Sequence, residues 1–247
     1  MRDGHPIIPP KGVPSPDGFA AGVSPTVPLM NIQESMFSIV VVGEMNPAIH
    51  HPLWYSLTGL IDEEEKEVAI KRPIVIISAP VQMSQFETSK FTVICNQGAW
   101  EIRTSIAEQR NRIREITRKV FDEVLKYTPV RMFGFNFNRE YNVGREGVGE
   151  VLGRLACRTG LDFCATNPVS AEIKVVEVRG GARVSVLVKP GSEDTAVSVS
   201  TNVEYKREVA EFGFFDMQGF LGEEYEMRFQ ESETVGQRIA TAISKSE

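Results

Sequence analysis

The sequence predicts an α+β protein: antiparallel β-sheet packed against a long central helix and a C-terminal helix, with an extended Pro-rich arm at the N-terminus. Three observations predict it. Short β-rich runs come in pairs separated by turn residues, the pattern of antiparallel hairpins. A segment at 106–127 carries apolar residues at helical spacing. The last residues repeat that spacing after a stretch dominated by alternation.

Residues 1–35 hold seven of the fourteen prolines, with Gly4, Gly12, Gly18 and Gly22 among them. Proline lacks a backbone donor and fixes φ, so this stretch is expected to be an extended arm outside the core. The body, 36–247, opens with the apolar run "FSIVVVG", expected to be a buried strand. "MNPAIHHPLWY" then forms a corner. Pro47 and Pro52 push the residues before them toward extended geometry, and Asn46 can bond the backbone two residues on. A short helix follows, then a second with Asp62 as N-cap and acids in its first turn. "PIVIISA" reads as a strand. Within 85–104, "KFTVICN" and "WEIRTS" form a hairpin about Gln97 and Gly98.

Ser105 and Glu108 match a capping box for the 106–127 helix, whose stripe is Ile113, Ile116, Val120, Phe121 and Val124. Pro129 stops it. In "VRMFGFNFN" Phe133, Phe135 and Phe137 alternate with Gly134, Asn136 and Asn138, which predicts a half-buried strand. A glycine-rich link leads to a helix ending at Gly160. Beyond Pro168 the pattern is a β-meander turning at Gly180-Gly181, and that break divides possible subdomains 36–167 and 168–247. Two C-terminal helices are expected, "FLGEEYEMRF" and a second with Ser232 as N-cap and Val235, Ile239 and Ile243 on one face. Both halves run from hairpin to helix, without internal sequence identity.

Composition narrows the function. The chain has 247 residues, 42% hydrophobic and 24% charged, enough for a core. A net charge of −6 supplies no general attraction to nucleic acid or anionic lipid. No apolar run is long enough to span a bilayer, and no secretory signal opens the chain. Cys95, Cys157 and Cys164 are too few and too irregular for a disulfide framework or a zinc site. Together these predict a cytoplasmic protein without metal or cofactor.

Four constellations remain. His50 and His51 sit beside Trp54, but adjacent side chains on an extended segment point apart, which disfavours a shared metal. Ser56 is the sole local nucleophile and no G-x-S-x-G elbow exists. Structural plugging of the corner is the simpler reading. Arg110, Arg114 and Arg118 fall four apart and form a ridge fit for phosphates or an acidic partner. Nearby acids at matching spacing instead predict an ordinary solvated face, with Glu108–Arg112, Glu115–Lys119 and Arg118–Asp122 pairs. The glycines 144, 147, 149 and 153 fit neither phosphate-binding motif. Adjacent Phe214 and Phe215 cannot both face inward on a strand, so one is a candidate contact for a partner. The leading expectation is a non-enzymatic interaction or assembly protein, binding a protein partner or itself. The alternatives are an enzyme using Asn46, His50, His51 and Trp54, and nucleic-acid binding on the arginine ridge.

Overall fold

The computed structural model describes residues 32–71, 74–78, 81–158, 171–206 and 220–246. Among the described residues nine strands form one sheet: β1 (Ile32–Gly43), β2 (Ile74–Ser78), β3 (Val81–Glu87), β4 (Thr92–Asn96), β5 (Ala99–Thr104), β6 (Val130–Asn142), β7 (Ile173–Arg179), β8 (Ala182–Pro190) and β9 (Ala196–Lys206). Their order is β2-β3-β4-β5-β1-β6-β9-β8-β7, and each neighbouring pair is antiparallel. The helices are α1 (Pro52–Leu57), α2 (Glu63–Lys71), α3 (Arg110–Arg118), α4 (Val148–Arg158) and α5 (Tyr225–Ser244). The architecture is α+β.

The central pair β1–β6 sets the layers. Side chains alternate along a strand, and register holds Phe37 opposite Phe137, Ile39 opposite Phe135 and Val41 opposite Phe133. All six are buried. The same face continues into Ile102 and Trp100 on β5 and into Thr201 and Val203 on β9. Helical residues such as Ile113, Ile116, Ala69 and Tyr225 join this cluster, while Val148, Val151, Leu152, Ala240 and Ile243 cover Tyr141, Val197 and Val199 beside it. The described helices therefore pack one face. Ser198, Ser200, Asn202 and Glu204 of β9 point to the other and are half-buried.

The predicted strands and both predicted turns are present. Asn96 Oδ1 accepts from the N–H groups of Gly98 and Ala99, both at 2.8 Å, which holds the β4–β5 hairpin. Gly180 and Gly181 have φ of +57° and +78°, the left-handed geometry a tight hairpin turn requires.

Several expectations change. β1 begins at Ile32, inside the stretch assigned to the arm. Residues 1–31 lie outside the described residues, as do Pro168, Gly160 and the pair Phe214 and Phe215. One sheet joins both proposed subdomains, since β6 pairs with β9. The central helix is α-helical only over Arg110–Arg118 and then widens into a π turn, Lys119–Val124. Val120 and Phe121 are buried as the stripe predicts, but the wide turn shifts the helical phase and leaves Val124 at 39% exposure. Its capping box does not form. Entry is through a 3-10 turn, Ala107–Gln109, and Thr104 Oγ1 accepts from the Ile106 N–H at 3.0 Å. The capping box occurs instead on α2. Asp62 Oδ1 accepts from the Glu65 N–H at 2.8 Å, and Glu65 Oε2 accepts from the Asp62 N–H at 3.0 Å.

The two expected C-terminal helices are one. Ser232 is not a cap but a buried mid-helix contact, accepting from Arg139 Nη1 at 2.8 Å. The buried stripe is Ser232, Gly236, Ala240 and Ile243, with Ile239 partly buried against the same cluster, so small residues set how closely α5 approaches. A Cβ on Gly236 would stand 2.2 Å from the hydroxyl of fully buried Tyr141. Gly236→Ala should therefore destabilise by about 1–3 kcal/mol from overpacking. Helix propensity alone would give about 1 kcal/mol of the opposite sign. Urea unfolding decides between them, and a stabilised variant would refute the close-approach account.

Candidate functional site

The histidine corner forms as a turn locked from inside. Asn46 Oδ1 accepts from the Ala48 N–H at 3.1 Å, and Pro47 opens a 3-10 turn. His51 is extended, at φ −116° and ψ 147°, and its Nδ1 accepts from the Leu53 N–H at 3.2 Å, capping α1. The neighbouring imidazole points the opposite way. His50 is 1% exposed and its Nδ1 lies 3.0 Å from the Tyr55 hydroxyl. That hydroxyl also accepts from Trp100 Nε1 at 2.8 Å. The Tyr55 hydroxyl thus bridges the indole N–H and the imidazole Nδ1. Nε2 is buried without a hydrogen-bond partner.

Aromatic rings close the corner. Trp54, Tyr55 and Trp100 have centroids 5.7, 6.0 and 6.4 Å from that of His50. Burial lowers the His50 pKa to about 4 and pushes Tyr55 well above its ordinary value. The imidazole is neutral, its Nδ1 is engaged by a phenol, and no serine is bonded to it. This is an anchor between the corner and β5, with none of the mutual geometry of a nucleophile and base. Cys95, also in this core, is free and buried, and burial pushes its thiol up to about 12, far from a reactive thiolate.

The arginine ridge turns inward at one end. Arg110 makes a two-pronged contact with Glu226 on α5, at 2.9 and 3.2 Å, and its guanidinium lies 3.6 Å from the Phe229 ring centroid. Arg114 lies 5.9 Å from the Tyr225 ring centroid. Arg118 pairs with Glu123 at 2.8 Å, near the surface. Arg112 donates to the Leu60 carbonyl at 2.8 Å and lies 3.6 Å from Glu65. Tertiary partners have thus replaced the expected Glu108–Arg112 pairing. Arg139 on β6 approaches Phe229 as well, with its guanidinium at 4.7 Å from the centroid. Arg139 is 3% exposed, and burial lowers its pKa. Phe229 lies between two guanidinium groups, a cation–π clasp that joins α3, α5 and the sheet. Sequence spacing placed the arginines on one ridge, but only the fold shows which ridge faces α5.

Sequence reasoning also missed a polar row on the sheet face that the described helices leave. Thr92, Arg103, Ser38, Asn136, Asn202 and Ser185 stand in register across β4-β5-β1-β6-β9-β8. Asn136 Nδ2 donates to Ser38 Oγ at 3.0 Å, and Asn202 Nδ2 donates to Asn136 Oδ1. The row ends at Val176 on the edge strand β7. A neighbouring concavity is lined by Met36, Ser105, Asn138, Glu140 and Ser198. The available signal was the Ser/Asn alternation in "FNFN" and "SVSTN".

Among the described residues no group of three His, Cys, Asp or Glu side chains is placed to hold a metal, and no helix is long and apolar enough to cross a membrane. The sequence matches no protein-family model, and no curated protein is significantly similar to it.

Two expectations follow from these sites. His50 has a folded pKa of about 4 against 6.5 for the free side chain, so the unfolded chain takes up its proton first as pH falls. Its contribution is complete above pH 6.5 and is lost as pH drops toward 4, a total of about 3 kcal/mol. Comparing urea unfolding at pH 7 and pH 4.5, His50→Gln should flatten the pH dependence; an unchanged slope would exclude His50 as its source. Separately, Arg110→Ala should cost about 1–2 kcal/mol and Arg118→Ala under about 0.5 kcal/mol, because only Arg110 is both two-pronged and stacked. Equal losses in thermal unfolding would contradict the clasp.

Proposed function

We propose that the chain is a non-enzymatic protein–protein interaction or assembly protein. The observation that carries this reading is the one-sided sheet: the described helices cover one face and leave the other, with its Ser/Asn row and the β7 edge, uncovered. Several of the residues that spacing offered for chemistry or for phosphate have internal tasks, while Arg118 stays near the surface. His50 is sealed, His51 caps α1, and Arg110 is held by Glu226 and Phe229. What is left for an outside molecule is a broad, hydrogen-bonding surface with scattered apolar side chains, the character of an interface rather than of a reaction chamber. The reading includes a cytoplasmic setting, which the free thiol of Cys95 fits.

Lys174, Lys189 and Lys206 lie on strands bordering this surface. Lysine-specific crosslinking in expressing cells, followed by peptide mass spectrometry, should join them to another polypeptide, either a different protein or a second copy. Crosslinks confined to one chain would remove the proposal.

A further inference from the structure

The sheet has an approximate two-fold relation between its halves. β1 and β6 form the central antiparallel pair. β5 returns to β1 as β9 returns to β6, β4 stands to β5 as β8 to β9, and β3 stands to β4 as β7 to β8. A helix follows each meander: α3 after β5 and α5 after β9. The correspondence breaks at one point. In the first half β2 lies antiparallel beside β3, and in the second half the position beside β7 is not filled by any described strand.

β7 is built for a neighbour there. Its sequence, Ile-Lys-Val-Val-Glu-Val-Arg, has no proline and no glycine. Among the described residues it pairs with β8 alone. Val175, Val176 and Val178 are 61%, 47% and 76% exposed, and they occupy both faces of the strand. Lys174 is its one lysine, the residue proteins use most to blunt an open edge, and it stands at one end. An extended strand laid antiparallel against β7 would bond its free backbone edge and cover these valines.

We infer that the occupant is β7 of a second copy of this chain, forming a two-fold dimer in which two nine-stranded sheets join into one. This rests on the interaction reading above and names its partner. The strand is self-complementary in the register centred on Val176. All seven residues then overlap, with Val176 opposite Val176, Val175 opposite Glu177, Lys174 opposite Val178 and Ile173 opposite Arg179. No two charges of one sign stand directly opposite, and each Glu177 already pairs with its own Arg179 at 2.9 Å. Even parity keeps the helix layers of both copies on one side. A closed two-fold contact stops at two copies. One strand pair buries less than the roughly 1,200 Å² of most tight interfaces, so the dimer is reversible and depends on concentration.

Two measurements on the full chain test this. Sedimentation velocity should show a mass rising with concentration from 27.5 kDa toward twice that value, and Val176→Lys should abolish the rise. Val176→Cys should give a covalent dimer on mild oxidation, because opposed Cα atoms in antiparallel strands lie about 4.5–5.5 Å apart, within disulfide reach. Val178→Cys, four residues from its counterpart in this register, should not, and wild type under the same oxidation sets the background. A monomer at the highest soluble concentration, a dimer that survives Val176→Lys, or crosslinking of both cysteine variants or neither overturns the inference. If the lysine crosslinks in cells lead to a different protein while the purified chain stays monomeric, self-pairing falls and the interaction reading stands. If neither is found, both fall.

Discussion

Alternation along the central pair β1–β6 is the constraint on which the molecule rests. Because successive side chains on a strand face opposite ways, Phe133, Phe135 and Phe137 must share a face, and Phe37, Ile39 and Val41 are held beside them by register. Burying six large side chains at about 25 cal/mol per Å² is a dominant favourable term. It can be realised only if helices close over that one face. α3 and α5 do so, with Tyr225 edge-on to Phe135 at 4.7 Å and Phe229 edge-on to Phe137 at 5.8 Å. A one-residue slip would turn the phenylalanines to the uncovered side and the asparagines into the core.

Closing that layer forces polar groups inside, and the fold then has to satisfy them. Glu65, 1% exposed, completes the α2 capping box and meets Lys90 at 3.2 Å. Arg228, 4% exposed, donates to Glu224 at 2.8 Å and to Glu231 at 2.9 Å, and Tyr205 donates to the same Glu224 at 2.5 Å. Arg139 reaches Ser232 and the face of Phe229. These contacts tie each helix to a particular place on the sheet. Apolar burial alone would allow neighbouring placements, whereas a buried charge without its partner costs several kcal/mol. The charged and aromatic residues that a functional reading first picks out are, for the most part, these fasteners.

The proposed interaction surface is what the described helices leave uncovered. An antiparallel sheet tolerates a polar face, and on the face that the described helices leave, Ser38, Asn136 and Asn202 stand in cross-strand register, with Ser38 buried and the two asparagines half-buried. Such a face is stable without a partner. The β7 edge is different, since exposed valines and a backbone edge that no described strand pairs gain from being covered. On the proposed reading the two features differ in kind: one is a polar row across the sheet, the other a strand-shaped docking position.

Local signals were legible wherever chemistry between near neighbours decides the outcome. The class, the β4–β5 hairpin, the Gly180-Gly181 turn, the Asn46 turn, the Asp62 cap and the phenylalanine strand follow from periodicity, side-chain oxygens and positive φ, and none needs a distant residue. Tertiary structure decided the rest, for three physical reasons. A π turn changed the phase of the central helix, which exposed Val124. Arg139 captured Ser232 and made a cap-like serine part of a longer helix. Proximity across the sheet determined that Arg110 meets Glu226 and Phe229, and that His50 meets Tyr55 and Trp100. Spacing along the chain determines which side chains share a face. What that face meets depends on residues far away in sequence, and so is settled only once the chain has folded.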